Sequence, residues 1–129
     1  MAYSGKLQEF TLNLLRIMSG FLLAPHGAQK LFGVLGKEAV ESIVSLSGLA
    51  GVLEFFGGIA LILGIFTRQV AFVLAGQMAA AYWMEHGMEA FWPILNHGEL
   101  AALYCFVFLF LFAHGGGEFS VDGWLRRRR

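Results

Sequence analysis

With 57% hydrophobic and 15% aromatic residues in a chain of 129, and a mean hydropathy of +0.66, there is more apolar surface here than one small water-soluble core can bury. The formal net charge is zero, and the one dense basic run, Arg126–Arg129, reads as an orientation signal and lipid anchor rather than a nucleic-acid contact. The lone cysteine, Cys105, excludes an internal disulfide and the dithiol chemistry that depends on one.

Four apolar runs, Phe10–Ala24, Leu49–Phe66, Val70–Met84 and Leu100–Phe112, predict an all-α, four-helix transmembrane bundle forming a single domain over 1–129. The first run is read as a retained helix and not a secretory signal. Arg16 interrupts it, and Leu23–His26 lacks a small-x-small cleavage pattern. Lys6, Arg68 and Arg126–Arg129 fall on one side of such a bundle and Lys30 and Lys37 on the other, so the positive-inside rule makes both termini cytoplasmic.

Between the first two runs, Val40, Ile43 and Val44 fall at i, i+3 and i+4, predicting a short amphipathic helix in this first outer loop. The connection around Gly64–Arg68 is short enough to make the second and third spans a tight antiparallel hairpin. Gly51, Glu54 and Gly58 share one face of the second span, and Ala71, Ala75 and Ala79 recur every four residues on the third, as closely packed membrane helices require.

Arg16 and Glu54 are ionisable groups inside apolar runs, expensive unless sheltered from lipid. At 1.5 Å per residue Arg16 lies roughly 12 Å from the outer end of its span and Glu54 roughly 9 Å from that of the next, which makes an interior ion pair one expectation. Snorkelling of Arg16 to the cytoplasmic interface is the other. Most remaining polar groups gather toward the outer ends: His26, Gln29 and Lys30, then Glu85, His86 and Glu89, then Trp92, Asn96, His97 and Glu99.

His26–Gly33, Glu54–Gly58, Leu63–Arg68, His86, Phe91–Pro93 and Asn96–Glu99, taken in order, closely resemble the DoxX family of small bacterial membrane proteins. The resemblance implies a multi-pass plasma-membrane protein working as a subunit or companion of membrane oxidoreductases, including thiosulfate:quinone oxidoreduction. It also marks His26, Gln29, Lys30, Glu54, Arg68, His86, Asn96 and Glu99 as important without assigning them a mechanism. The family commonly has glycine where this chain has His97, and Gly-Pro-Gly where it has Gly115–Gly117, so His97 inherits no role from it.

A quinone headgroup needs hydrogen-bond donors for its carbonyls and a proton relay when reduced. The candidate catalytic groups for that chemistry are Glu54, His26 and His86, with Gln29, Lys30, Trp92, Asn96 and Glu99 as candidate ligand-binding residues and Trp83, Phe91 and Trp92 flanking the ring. The competing expectation is a non-enzymatic scaffold whose polar groups merely hold the helices together. Metal or haem ligation by His26 and His86 finds little support, because no span carries a His-x-x-x-His or Glu-x-x-His pair. A channel or transporter is disfavoured by the small bundle and the lack of paired broken helices. The expected partners are lipid, quinone, and other redox subunits or a second copy.

Overall fold

The computed structural model describes residues 2–129, with side chains described from residue 5 onward, and is all-helical across them. Its first helix, α1 (Ala2–Phe32), is continuous through Pro25 and is followed by α2 (Leu46–Leu63) and α3 (Thr67–Ala81). A π-helical turn, Tyr82–His86, extends α3; α4 (Pro93–Asn96), α5 (Glu99–His114) and α6 (Val121–Arg127) complete the chain. Helix α1 packs along α2 and α3 along α5, and the α2–α3 hairpin joins the two pairs.

Small residues set the α1–α2 spacing. A Cβ on Gly27 would meet the Gly51 carbonyl at 2.7 Å, and one on Gly58 would meet the Ala24 backbone nitrogen at 2.8 Å. The two backbones are therefore in contact, the close approach that substitutes for hydrophobic drive when lipid is the solvent. Helices α3 and α5 pack more conventionally, through Ala71, Leu74 and Ala75 against Tyr104, Phe108 and Leu111.

The polarity of the bundle is inverted relative to a water-soluble one. Helix α1 buries Asn13, Arg16, Ser19 and Gly20 while exposing Phe10, Leu14, Met18 and Phe21. The buried residues of α2 are Gly48, Gly51, Glu54, Gly58 and Leu61, and its exposed large ones include Leu49, Phe56 and Leu63. Among the described residues α2 is the one helix long and apolar enough to cross a membrane by length and composition, and α5 is apolar but shorter.

Two expectations need correcting. The segment 33–45 forms no helix. Gly33, Leu35 and Gly36 take left-handed φ values of 65°, 57° and 85°, and of the apolar triplet only Val40 is half-buried, while Ile43 and Val44 are exposed, so no common apolar face is buried. Ser42 and Ser45 use their hydroxyls on the local backbone instead, a competition that defeats so short a helix.

The expected Arg16–Glu54 pair is also absent. Because α1 runs to Phe32 and not to Ala24, its end lies roughly 12 Å further along than the apolar run suggests. Glu54 is consequently level with Gly27 and Lys30, while Arg16 is roughly 21 Å further down the helix.

Arg16 instead organises the end of the bundle where the C-terminal segment meets the α2–α3 turn. Its Nε donates to the Leu61 carbonyl at 2.8 Å, Nη1 to Asn13 Oδ1 at 2.7 Å and to the Gly116 carbonyl, and Nη2 to the Phe119 carbonyl at 2.8 Å. Gly115 and Gly117, at φ of 85° and 84°, turn the chain so that these loop carbonyls converge on the guanidinium. Helix α2 stops in a Schellman motif at Gly64 (φ 71°), with Ile65 N–H on Ala60 and Gly64 N–H on Leu61.

Phe66 and Thr67, at the start of α3, receive no local cap. The Asp122 carboxylate from α6 accepts both backbone N–H groups at 2.8 Å, supplying negative charge at a helix N-terminus. Arg16 and Asp122 thus tie the C-terminal segment to the α2–α3 turn.

Removing the guanidinium leaves two buried acceptors, the Gly116 carbonyl and Asn13 Oδ1, without donors, at about 1–3 kcal/mol each. Arg16→Met is expected to lower unfolding free energy by about 3 kcal/mol or more, read as a lower thermal midpoint in mild detergent. An unchanged midpoint would refute the clamp.

Candidate functional site

Glu54 lies at the middle of α2 and is 4% exposed. Its carboxylate accepts two bonds from Lys30 Nζ, at 2.8 and 3.0 Å, and one from Gln77 Nε2 at 2.6 Å. Helices α1, α2 and α3 are therefore joined through one carboxylate. A lone charge at such a position would be prohibitively costly, and the lysine and the amide offset that cost.

Above the pair opens a cleft of about 220 Å³. Its polar lining comes from four elements: His26 and Lys30 on α1, Glu54 on α2, Gln77 with Glu85 and His86 on α3 and its π turn, and Tyr104 on α5, with His97 from the loop before it. The i→i+5 bond from Gly87 N–H to the Tyr82 carbonyl, at 2.7 Å, closes the π turn. Widened turns of this kind recur at functional sites.

His86 Nδ1 lies 3.0 Å from the Asn96 carbonyl, which can only accept, so Nδ1 carries the proton. Nε2 of a neutral ring is then left as a lone-pair acceptor, 3.9 Å from Glu85. Gln77 offers another open valence. With its amide nitrogen committed to Glu54, its buried Oε1 has no protein partner among the described residues. A buried acceptor left open beside a cleft suits a ligand hydroxyl.

The expected site residues divide into two groups. His26, Lys30, Glu54 and His86 are brought together around the cleft. Gln29, Trp92, Asn96 and Glu99 are not among its lining residues. Gln29 donates to the Leu35 carbonyl at 2.9 Å and fastens the first loop. Asn96 is fully buried: its amide donates to Tyr82 Oη at 2.9 Å and to the Ala90 carbonyl at 3.0 Å, while its Oδ1 accepts from Gly98 N–H at 2.8 Å.

Glu99 starts α5 and is exposed. Trp83, Phe91 and Trp92 are turned outward, and the aromatic ring that lines the cleft is Tyr104, stacked on Phe108 at 5.3 Å. No group of three or more His, Cys, Asp or Glu side chains fit to hold a metal occurs among the described residues.

Gln77 and Tyr104 are polar lining residues that sequence reasoning passed over, and Glu85 and His97 are ones it noted without giving them a site role. A lone glutamine within the third apolar run was the available signal for the first. Tyr104 gave none, since a tyrosine in an apolar helix reads as packing.

The DoxX family model matches residues 11–87, from early in α1 through the π turn, and the chain belongs to that family of membrane proteins. A Haemophilus influenzae protein described as uncharacterized is 37% identical, over 91% of this chain and 92% of its own length. No solved structure matches.

His97 adopts φ 61°, ψ 20°, a left-handed conformation that glycine takes freely and histidine tolerates better than most side chains. The chain accepts that backbone geometry while adding an imidazole to the cleft. Since a β-branched side chain suffers most there, His97→Val is expected to lose about 1–2 kcal/mol relative to His97→Gly. Chemical unfolding of the two variants checks this, and equal stability would refute it.

Proposed function

We propose that this protein is a multi-pass plasma-membrane protein that presents a quinone-binding pocket to a membrane oxidoreductase, acting as its accessory subunit. The observation that carries the reading is the Lys30–Glu54–Gln77 cluster at mid-helix, opening onto a cleft just large enough for a single ring. Intramembrane ionisable groups are retained mainly for function.

The inverted polarity of α1 and α2 supports lipid on several sides of the bundle, and in this reading α1, α2, α3 with its π turn, and α5 are the four spans. Basic residues Lys6, Arg68 and Arg126–Arg129 then put both termini in the cytoplasm and the cleft at the outer face. The Arg128 guanidinium 5.0 Å above the Trp124 ring suits a helix lying at the headgroup level.

In the cleft the ring's carbonyl oxygens accept from Tyr104 Oη and a histidine N–H, and Gln77 Oε1 takes the hydroxyl formed on reduction. Reduction consumes two electrons and two protons. The partner redox protein supplies the electrons, and His86 and Glu54 lie where protons reach the ring.

Gentle purification followed by extraction of lipids and quinones tests this reading. About one quinone per chain is expected, and Glu54→Gln is expected to reduce that content and any quinone-linked activity at least tenfold while membrane insertion is unchanged. Quinone-free protein that still co-purifies with a partner would instead establish a scaffold, and full activity in Glu54→Gln would remove its proton-handling role.

A further inference from the structure

The cleft is open on its α2–α3 side. Lys30, Ala50, Gln77, Ala81 and Glu85 line it and also line a second hollow, of about 460 Å³, between α2 and α3. The second hollow shares Leu53 and Val73 with a third, of about 430 Å³, that reaches Ala60 on α2 and Gln69 on α3. The three adjoin through these shared walls, and together they run along α2 from Leu46 to Ala60, roughly 21 Å at 1.5 Å per residue. The furrow they outline is polar at the cleft and apolar along its length, with Val73 49% exposed to the surroundings.

We infer that this furrow holds the isoprenoid tail of the quinone whose ring fills the cleft, and that the ligand enters sideways from lipid between α2 and α3. The inference rests on the quinone reading above and adds a chain-length requirement to it. Charge selects this occupant over an anionic phospholipid. Lys30 at the mouth is already neutralised by Glu54, and Glu85 makes the mouth acidic, so a phosphate meets no unpaired lysine or arginine there.

Shape selects it too. One furrow meeting one small polar cleft along its side matches a single chain carrying a ring, whereas a phospholipid brings two chains to a bulky headgroup. Gln77 stands at the junction, lining both hollows with its open Oε1 acceptor.

The test compares a long-chain isoprenoid quinone with its tail-less benzoquinone analogue, each binding to the protein in lipid nanodiscs. Wild type is expected to bind the long-chain form at least tenfold tighter. Val73→Trp and, as a second variant, Ala80→Phe fill the furrow at positions outside the cleft lining. Either is expected to erase most of that advantage while leaving affinity for the tail-less ring unchanged, which also reports that the variant is folded.

Equal wild-type affinity for the two forms, or long-chain binding untouched by both variants, would overturn the furrow assignment and leave the ring site standing. A furrow filled by a phospholipid chain gives the same lack of chain-length preference. Failure of wild type to bind either form would overturn the quinone reading itself, and this inference with it.

Discussion

A carboxylate in the middle of an apolar helix must find its partners before the helix can be lodged anywhere, and in this protein Glu54 finds them on two neighbouring helices. Lys30 reaches it from α1 and Gln77 from α3. The reach of those side chains fixes the sliding register of three helices at once. Glycines at Gly27, Gly51 and Gly58 let α1 and α2 come close enough for the lysine to arrive. The cleft above the cluster follows from the same constraint, because the backbone of α3 widens into a π turn just beyond Gln77 and swings His86 and Glu85 over the carboxylate.

The second buried charge has a different task. Arg16 is met by three backbone carbonyls and the Asn13 side chain, a set of acceptors that secures a guanidinium without a carboxylate. One cation therefore ties the C-terminal segment to the α2–α3 turn and the other shapes the end that carries the cleft. The bundle is pinned at both levels by polar contacts, while much of the outer faces of its helices is apolar.

The helical class, the tight α2–α3 turn and the buried faces of α2 and α3 were legible because apolar runs, a short Gly-containing connection and small-residue spacing are local signals. Partner choice was not. Pro25 and the polar residues after Ala24 imitate a helix end, yet the helix continues through them, and that shift of about two turns moves Arg16 out of reach and brings Lys30 level with Glu54. Packing along α2 holds α1 continuous through the proline. The triplet at Val40, Ile43 and Val44 misled for the opposite reason: periodicity was present, but Ile43 and Val44 had no surface to cover. That His26, Lys30, Glu54 and His86 gather around one cleft was legible from their places at the outer helix ends, while the places of Asn96 and Gln29 outside it were not, because a side-chain amide that fastens a loop looks the same in sequence as one that faces a cavity.

A double-mutant cycle on unfolding free energy in detergent, using Lys30→Met, Glu54→Gln and the pair together, bears most directly on whether this carboxylate and lysine form the unit described. The account predicts that the double variant loses less than the sum of the singles, with a coupling of about 1 kcal/mol or more, while Arg16→Met and Glu54→Gln add within about 0.5 kcal/mol. Additive losses for Lys30 and Glu54, or coupling between Arg16 and Glu54, would contradict it.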